Sequence, residues 1–182
     1  MHKTNMQAGS TAMLALAAVL VASCAEVEAE VPEAQVTQQN VSFRGIGGDR
    51  GGWDDEVAVT QTFALSADNL SWVKDLNTKI YLNQIDLRAT KGTEDLSFIH
   101  YAHVVMAGGH KSKPVELVSY VRPEHQGEIP VLSAKSPYPV DISEAWSADK
   151  ILVTITVAGR LPERSWSVDV TLYLSGKLSY KL

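Results

Sequence analysis

The sequence has little of what secreted or catalytic proteins of its size commonly use. Its 182 residues include one cysteine, Cys24, so no disulfide can form within the chain. Its main apolar run, residues 12–22, is shorter than the roughly 20 residues that a transmembrane helix needs. The formal charge is −5, and lysines and arginines form no dense group. A nucleic-acid partner is therefore not expected, because binding to phosphates needs a basic surface.

Catalytic and nucleotide-binding motifs are missing as well. No Gly-x-Ser-x-Gly nucleophile elbow occurs. Residues 44–52 are rich in glycine, but they lack the lysine and the serine or threonine of a phosphate-binding loop. Arg50 also stands where a dinucleotide fingerprint requires its third glycine. We therefore predict a flexible loop here, no catalytic residue and no cofactor.

The N-terminus has the order of features found in an export signal. Lys3 precedes a polar stretch, and the apolar run that follows ends in the small residues Ala22 and Ser23. The segment Val21-Ala22-Ser23-Cys24 resembles the lipobox of bacterial lipoproteins. That resemblance implies cleavage between Ser23 and Cys24, with a diacylglyceryl group on the thiol and an acyl group on the new amino terminus. The alternative is an ordinary secretory signal with an incidental cysteine.

The resemblance also predicts the location of the protein. Two or three acyl chains give stable anchoring, since one chain alone binds a bilayer only marginally. We therefore expect an envelope protein whose partner is membrane lipid, held through Cys24. The residue after the cysteine is Ala25 rather than aspartate, which favours the outer membrane if the source is Gram-negative.

Composition divides the chain into three parts. Residues 1–23 form the predicted signal peptide. Residues 24–40 carry the acylated cysteine, several glutamates and glutamines and a proline, which favours a disordered tether. A first strand over residues 36–43 is the competing interpretation. Residues 41–182 form the predicted folded domain, which is long enough to bury a stable core.

The folded part shows the alternation of apolar and polar residues that is typical of half-buried strands. The clearest case begins at Trp166 and continues as Val168, Val170, Leu172 and Leu174. Glycines and prolines separate such segments. We predict one antiparallel β-sandwich, immunoglobulin-like in general architecture. Strands are expected over residues 57–65, 79–90, 96–107, 115–121, 129–133, 151–157 and 165–182.

One or two short helices are expected to cross the edge of this sandwich. Residues 66–76 can form one, capped by Ser66 or Asp68. Residues 141–149 can form the other, with Ile142 and Trp146 buried.

Histidines and acidic residues give weak signals for a metal. His100 and His103 are three positions apart, so a regular strand directs them to opposite faces, and joint zinc binding would need a bulge. A composite site with His110 and His125 stays open. A calcium-stabilised loop could be formed by Asp49, Asp54, Asp55 and Glu56, but their spacing is not that of an EF-hand. We predict no metal site.

The predicted function is that of a non-enzymatic binding or assembly module, with envelope proteins or glycans as partners. Trp53 and Trp72 are the candidate ligand-contacting aromatics, because Trp146 and Trp166 fit core positions. One alternative is an envelope hydrolase, in which His100 or His110 joins carboxylates in a cleft. The other is a surface carbohydrate-binding or adhesion module with an exposed aromatic patch.

Overall fold

A computed structural model describes residues 26–46, 56–65, 78–108, 113–124, 127–146 and 151–181. Within these ranges it has eight strands and one short helix. The strands are β1 (Glu26–Phe43), β2 (Val57–Leu65), β3 (Thr78–Lys91), β4 (Ile99–Gly108), β5 (Val115–Val121), β6 (Val131–Asp141), β7 (Ile151–Gly159) and β8 (Trp166–Lys181), and the helix is α1 (Ser143–Trp146).

The strands form two four-stranded sheets that pack face to face. Sheet A has the order β1-β8-β3-β6, and sheet B has the order β2-β7-β4-β5. Every hydrogen-bonded pair of strands is antiparallel. The predicted antiparallel β-sandwich is therefore confirmed. Its strand order is that of a jelly roll. It differs from the immunoglobulin order, in which neighbours along the chain more often share a sheet.

Alternation of side chains builds the core between the sheets. On β7, buried residues alternate with half-buried ones along the whole strand. On β8, the apolar residues from Trp166 to Leu174 are buried. The ring of Trp166 stacks on Phe43 with centroids 4.4 Å apart, and Phe98 meets it edge-on at 5.1 Å. Aromatic packing of this kind adds to the stabilisation that burial provides.

Helix α1 lies within the predicted segment 141–149, and Ile142 and Trp146 are buried as expected. Asp141 Oδ1 accepts hydrogen bonds from the backbone nitrogen and the hydroxyl of Ser143, at 2.9 and 2.6 Å. The hydroxyl of Ser143 in turn accepts a hydrogen bond from the backbone nitrogen of Ile80 at 2.9 Å, which ties the helix to β3. The other predicted helix, residues 66–76, lies outside the described residues.

The disordered tether predicted for residues 24–40 is wrong from Glu26 onward, because β1 begins there. β1 pairs with β8 from Glu26 opposite Lys181 to Phe43 opposite Trp166. Backbone hydrogen bonds to β8 do not depend on side-chain polarity, so a polar segment can form an outer strand. Val36 is buried in the core, whereas Gln35 is exposed. The folded domain therefore begins well before residue 41.

Strand β6 is longer than the predicted segment 129–133. It continues to Asp141 and includes Pro137 and Pro139. β6 lies at the edge of sheet A, so the missing N–H groups of its prolines are tolerated.

Candidate binding site on the outer face of sheet A

Most residues singled out from the sequence lie outside the described residues. These are Ser23, Cys24, Asp49, Trp53, Asp54, Asp55, Trp72, His110 and His125. Of the glycine-rich segment 44–52, the structure describes only residues 44–46. The lipidation site and the two candidate tryptophans therefore remain predictions, and the acidic loop considered for calcium is described only at Glu56.

The two described histidines pair with different carboxylates. His100 Nδ1 lies 2.6 Å from Glu56 Oε1, and His103 Nε2 lies 3.1 Å from Glu116 Oε1. A register shift between Ile99 and Tyr101 supplies the irregularity that joint ligation would need. Even so, among the described residues no three His, Cys, Asp or Glu side chains come together in a way that could hold a metal ion.

A β-bulge interrupts β3, a central strand of sheet A. Against β8 the register goes from Leu82 opposite Leu174 to Gln84 opposite Tyr173, so the extra residue belongs to β3. Against β6 it goes from Leu82 opposite Val140 to Gln84 opposite Lys135, and there the unpaired residues 136–139 belong to β6. Leu82 and Ile85 are buried, and the two residues between them, Asn83 and Gln84, are both half-exposed. The bulge thus places two consecutive amide side chains on the outer face. Bulges of this kind often redirect side chains at functional sites.

These amides belong to a network of polar side chains that joins β3 to β8. Gln84 Nε2 donates a hydrogen bond to Asp86 Oδ1 at 2.6 Å, and the Tyr173 hydroxyl donates one to Asp86 Oδ2 at 2.9 Å. Beside them, the Ser175 hydroxyl donates to Asn83 Oδ1 at 3.3 Å. We call these five residues, Asn83, Gln84, Asp86, Tyr173 and Ser175, the bulge site.

The carboxylate of Asp86 also changes the acidity of Tyr173. Accepting the tyrosine's hydrogen bond favours the neutral phenol, and partial burial and the negative charge of Asp86 act in the same direction. The positive charge of Arg88 opposes them, while Glu33 adds to them. The net effect raises the pKa of Tyr173 above its ordinary value of 10.0. Tyr173 therefore stays a neutral hydroxyl at physiological pH.

Other polar and aromatic residues surround the bulge site. On β6, Lys135 lies opposite Gln84 and Ser133 lies opposite Asp86. Tyr81 is half-exposed opposite Ser175, at one end of the site. The surface thus offers hydroxyls, amides, a carboxylate and an ammonium group on a rigid pair of strands. Such a set can form several directional hydrogen bonds with a ligand that carries many hydroxyl groups.

The bulge site was not among the sequence-predicted sites, although the sequence contains a signal for it. Buried positions on β3 follow a period of two through Ile80 and Leu82, and then resume out of phase at Ile85 and Leu87. The shift falls at Asn83-Gln84 and marks the bulge. Asp86 and Tyr173 resemble any outward polar residue of a strand, so their contact needs the strand order.

Asp95 forms a second polar cluster, which holds the fold together. Its carboxylate accepts hydrogen bonds from the backbone nitrogens of Ser97 at 3.0 Å and Ile129 at 2.5 Å, and from the Ser97 hydroxyl. Burial raises the pKa of Asp95, but these hydrogen bonds and the charge of Arg122 outweigh it and bring the pKa below 3.8. The cluster connects the β3–β4 loop to the β5–β6 loop.

Sheet B has an exposed apolar pair on its outer face. Tyr101 on β4 and Val121 on β5 lie opposite each other, and they are 38% and 72% exposed. The ring of Tyr101 also stacks near His103, with centroids 6.4 Å apart. Tyr138 on β6 is 79% exposed, so the described residues present an exposed aromatic side chain on each sheet.

Comparison with known proteins found similarity to solved structures at low identity. No protein-family model and no curated protein matches the chain. The family 32 CBM from C. perfringens NanJ, solved in complex with galactose, is similar over 81% of this chain and 99% of its own, with 11% identity and a TM-score of 0.36. The decameric BFDV capsid protein is similar over 82% and 99%, with 9% identity and a TM-score of 0.39.

A third solved structure, of Desmodium yellow mottle tymovirus, is similar over 94% of this chain and 97% of its own, with 10% identity and a TM-score of 0.36. At these values the likeness carries no argument about fold, ligand or activity. Among the described residues, no helix has the length and apolar character to cross a membrane.

Proposed function

We propose that this protein is a lipid-anchored envelope module that binds a polyhydroxylated ligand, such as a glycan, without transforming it. The observation that carries the proposal is the bulge site. There the bulge directs Asn83 and Gln84 outward beside Asp86 and Tyr173. Preformed hydrogen-bonding groups on strands lose little entropy when a ligand binds, which favours recognition.

The geometry of Asp86 favours binding over catalysis. Both of its carboxylate oxygens already accept hydrogen bonds from neighbouring side chains. A carboxylate held in this way orients Gln84 and Tyr173 rather than abstracting a proton from a substrate. The Gln84 amide oxygen and the Tyr173 hydroxyl oxygen then serve as acceptors for ligand hydroxyls.

The start of β1 gives the proposed anchor a structural consequence. Cys24 is two residues before Glu26, so an acylated Cys24 would hold β1 within about 7 Å of the lipid attachment point. Along the strands, the bulge site lies about 25 Å from Glu26, on the spacing of residues in a sheet. A ligand of the bulge site would therefore be met near the membrane surface.

The binding proposal is tested on an oligosaccharide array with the full chain carrying Cys24→Ala, which removes the lipid. We expect retention of at least one class of oligosaccharide. Asn83→Ala and Gln84→Ala should each weaken it, whereas Tyr101→Ala on sheet B should not. Retention that depends on Tyr101 and not on Gln84 would place the ligand on the sheet B patch and refute the bulge site.

The anchor is tested separately by the intact mass and membrane fractionation of the native protein beside Cys24→Ala. The proposal expects a native chain that starts at Cys24 with added acyl mass, and a variant that leaves the membrane fraction. A native protein that is unacylated and cut elsewhere would refute the anchor.

The hydrolase alternative has one observation in its favour, the His100–Glu56 pair at 2.6 Å. Both side chains are solvent-accessible, at 31% and 62%, so the pair lacks the dry surroundings that strengthen acid–base catalysis. We expect His100→Ala to leave any ester or glycoside hydrolysis at the background rate. Hydrolysis that the native protein supports and His100→Ala abolishes would favour the enzyme instead.

A further inference from the structure

Among the strands that the structure describes, β2 is an edge strand, with no hydrogen-bonded neighbour on one side. In sheet B it pairs with β7 alone, from Val57 opposite Gly159 to Leu65 opposite Ile151. The backbone N–H and C=O groups along its other side are therefore free of strand partners among the described residues. Such an edge can accept another extended strand.

The other three edges carry features that discourage strand addition. β1 contains Pro32 and several glutamates, and β6 contains Pro137 and Pro139. β5 is a seven-residue strand with a register shift against β4 and a charged Glu116. Prolines, charges, short length and bulges are the means by which edges are protected. β2 has none of them, since its nine residues read VAVTQTFAL.

The inward side of β2 is also incompletely covered. Val59 and Phe63 pack against the core, yet they are only half-buried, as is Gln61 between them on the same face. On the neighbouring strand β7, Val153, Ile155 and Val157 are completely buried. Apolar side chains that stay partly in water at a free edge gain burial when another strand is added.

The sequence of β2 identifies the strand that would fit. It is symmetric in character about Gln61: Thr60 mirrors Thr62, Val59 mirrors Phe63, and Ala58 mirrors Ala64. An antiparallel pair of β2 strands with Gln61 opposite its own copy therefore places each residue opposite one of its own kind. A second copy of this chain supplies this match by symmetry.

The threonines show the pairing that this arrangement repeats. Within sheet B, the Thr60 and Thr156 hydroxyl oxygens lie 3.0 Å apart, and those of Thr62 and Thr154 lie 2.9 Å apart. In the two-fold pair, Thr60 lies opposite Thr62 of the second copy. The threonine rows would then continue from sheet B of one copy into sheet B of the other. Cross-strand threonine pairs stabilise such contacts.

We propose that the protein forms a homodimer by antiparallel β2–β2 pairing about a two-fold axis at Gln61, so that the two B sheets become one eight-stranded sheet. Val59 of each copy then lies opposite Phe63 of the other, and these apolar side chains bury one another at the joined edges. The proposal does not depend on the ligand or on the lipid anchor.

The register is tested by disulfide formation in the full chain carrying Cys24→Ala, which leaves no native thiol. Gln61→Cys places two thiols opposite each other across the axis, within the reach of a disulfide. We expect it to form a covalent dimer under mild oxidation. Ser133→Cys, an exposed position on the β6 edge, is the matched control and should form no covalent dimer.

A mixture of single variants tests the same register from a second position. Ala58→Cys lies opposite Ala64 of the second copy, but its own copy is about 20 Å away at the spacing of strand residues. Ala58→Cys and Ala64→Cys should therefore form no covalent dimer alone and should cross-link when mixed. If Ala58→Cys cross-links with itself as readily as Gln61→Cys does, the proposed register is refuted.

The dimer itself is tested by sedimentation equilibrium of the Cys24→Ala chain. We expect a concentration-dependent dimer that Gln61→Lys converts to monomer, because two ammonium groups would meet at the axis. Ser133→Lys should leave the dimer unchanged, and thermal unfolding of both variants verifies that they are folded. A Cys24→Ala chain that stays monomeric at every concentration, with no cross-link through Gln61→Cys, refutes the proposal.

Discussion

Tyr173 on β8 donates a hydrogen bond to Asp86 on β3 at 2.9 Å, across the two central strands of sheet A. The contact joins residues that are 87 positions apart in the chain. It orients the phenol beside Gln84, which hydrogen-bonds the same carboxylate. The candidate site therefore depends on the jelly-roll order, which makes β3 and β8 neighbours.

The ionisation of Tyr173 reports directly on this contact. Its hydrogen bond to Asp86, its partial burial and the negative charge of Asp86 raise its pKa above 10.0. Asp86→Ala should bring the pKa back toward the ordinary value, as followed by NMR of tyrosine labelled with ¹³C at Cζ. Glu116→Gln, which removes a carboxylate on sheet B, should leave the Tyr173 resonance unchanged. An unaltered titration in Asp86→Ala would contradict the contact.

The same contact predicts a dependence of stability on alkaline pH. Because the folded pKa is raised, the stability that Tyr173 contributes is complete below its unfolded pKa and is lost as pH rises through the folded pKa. Tyr173→Phe should therefore lose less stability than the native chain above pH 10. Urea unfolding at a series of alkaline pH values measures the free energy of unfolding of both chains. If that free energy falls equally with pH in Tyr173→Phe and in the native chain, the contact is not supported.

Asp95 predicts the opposite dependence, at acid pH. Its folded pKa lies below 3.8, so its contribution is present above that value and is lost as pH falls through the folded pKa. Asp95→Asn should be less stable than the native chain at neutral pH by about 1–3 kcal/mol, because hydrogen bonds to a charged group are lost. The gap should narrow in acid. Glu94→Gln, at the exposed neighbouring position, should show neither effect.

Gly159 is required by the close approach of β7 to the β3–β4 loop. Its φ is +152°, and a Cβ there would collide with the backbone oxygen of Phe98. Gly159→Ala should destabilise the fold by about 2 kcal/mol or more, because the neighbour is backbone and cannot move aside. Gly127→Ala is the control, since a Cβ at Gly127 meets nothing within 4 Å. Similar melting temperatures for both variants would refute this account of Gly159.

The assignment of β1 is tested by substitutions on its two faces. Val36 is 5% exposed, so Val36→Ala should lower the free energy of unfolding by about 1–3 kcal/mol through lost burial and a cavity. Gln35→Ala, on the exposed face, should change it by less than about 0.5 kcal/mol. If both substitutions were neutral, the segment would be the disordered tether that composition suggests.

How far the sequence predicts the fold follows from the range of each signal. Alternation is local, so β7 and β8 are evident from their own residues. Pairing is not local, so nothing in the sequence of β3 identifies β8 and β6 as its neighbours. The polar composition of β1 does not indicate a strand, because its partner is far away in the chain. The prolines of β6 do not indicate that an edge strand continues through them. These failures have one cause, which is that backbone pairing can override side-chain propensity.

The site was predictable only in part. Leu82 and Ile85 are apolar and three positions apart, which breaks the alternation of β3 and marks the bulge in the sequence itself. The convergence of Asp86 and Tyr173 needs the sheet order. The predicted aromatics, Trp53 and Trp72, lie outside the described residues and stay predictions.

The most direct test of the account is a calorimetric titration with the oligosaccharide that the array retains best. The chain whose only substitution is Cys24→Ala should bind this oligosaccharide. Adding Gln84→Ala should weaken the affinity by about 3- to 10-fold, the loss expected for one hydrogen bond. The Tyr101→Ala variant should bind with the same affinity as the parent chain. Affinity unchanged by Gln84→Ala and also by Asn83→Ala, in variants that remain folded, would contradict the claim that the bulge site is where this protein binds its ligand.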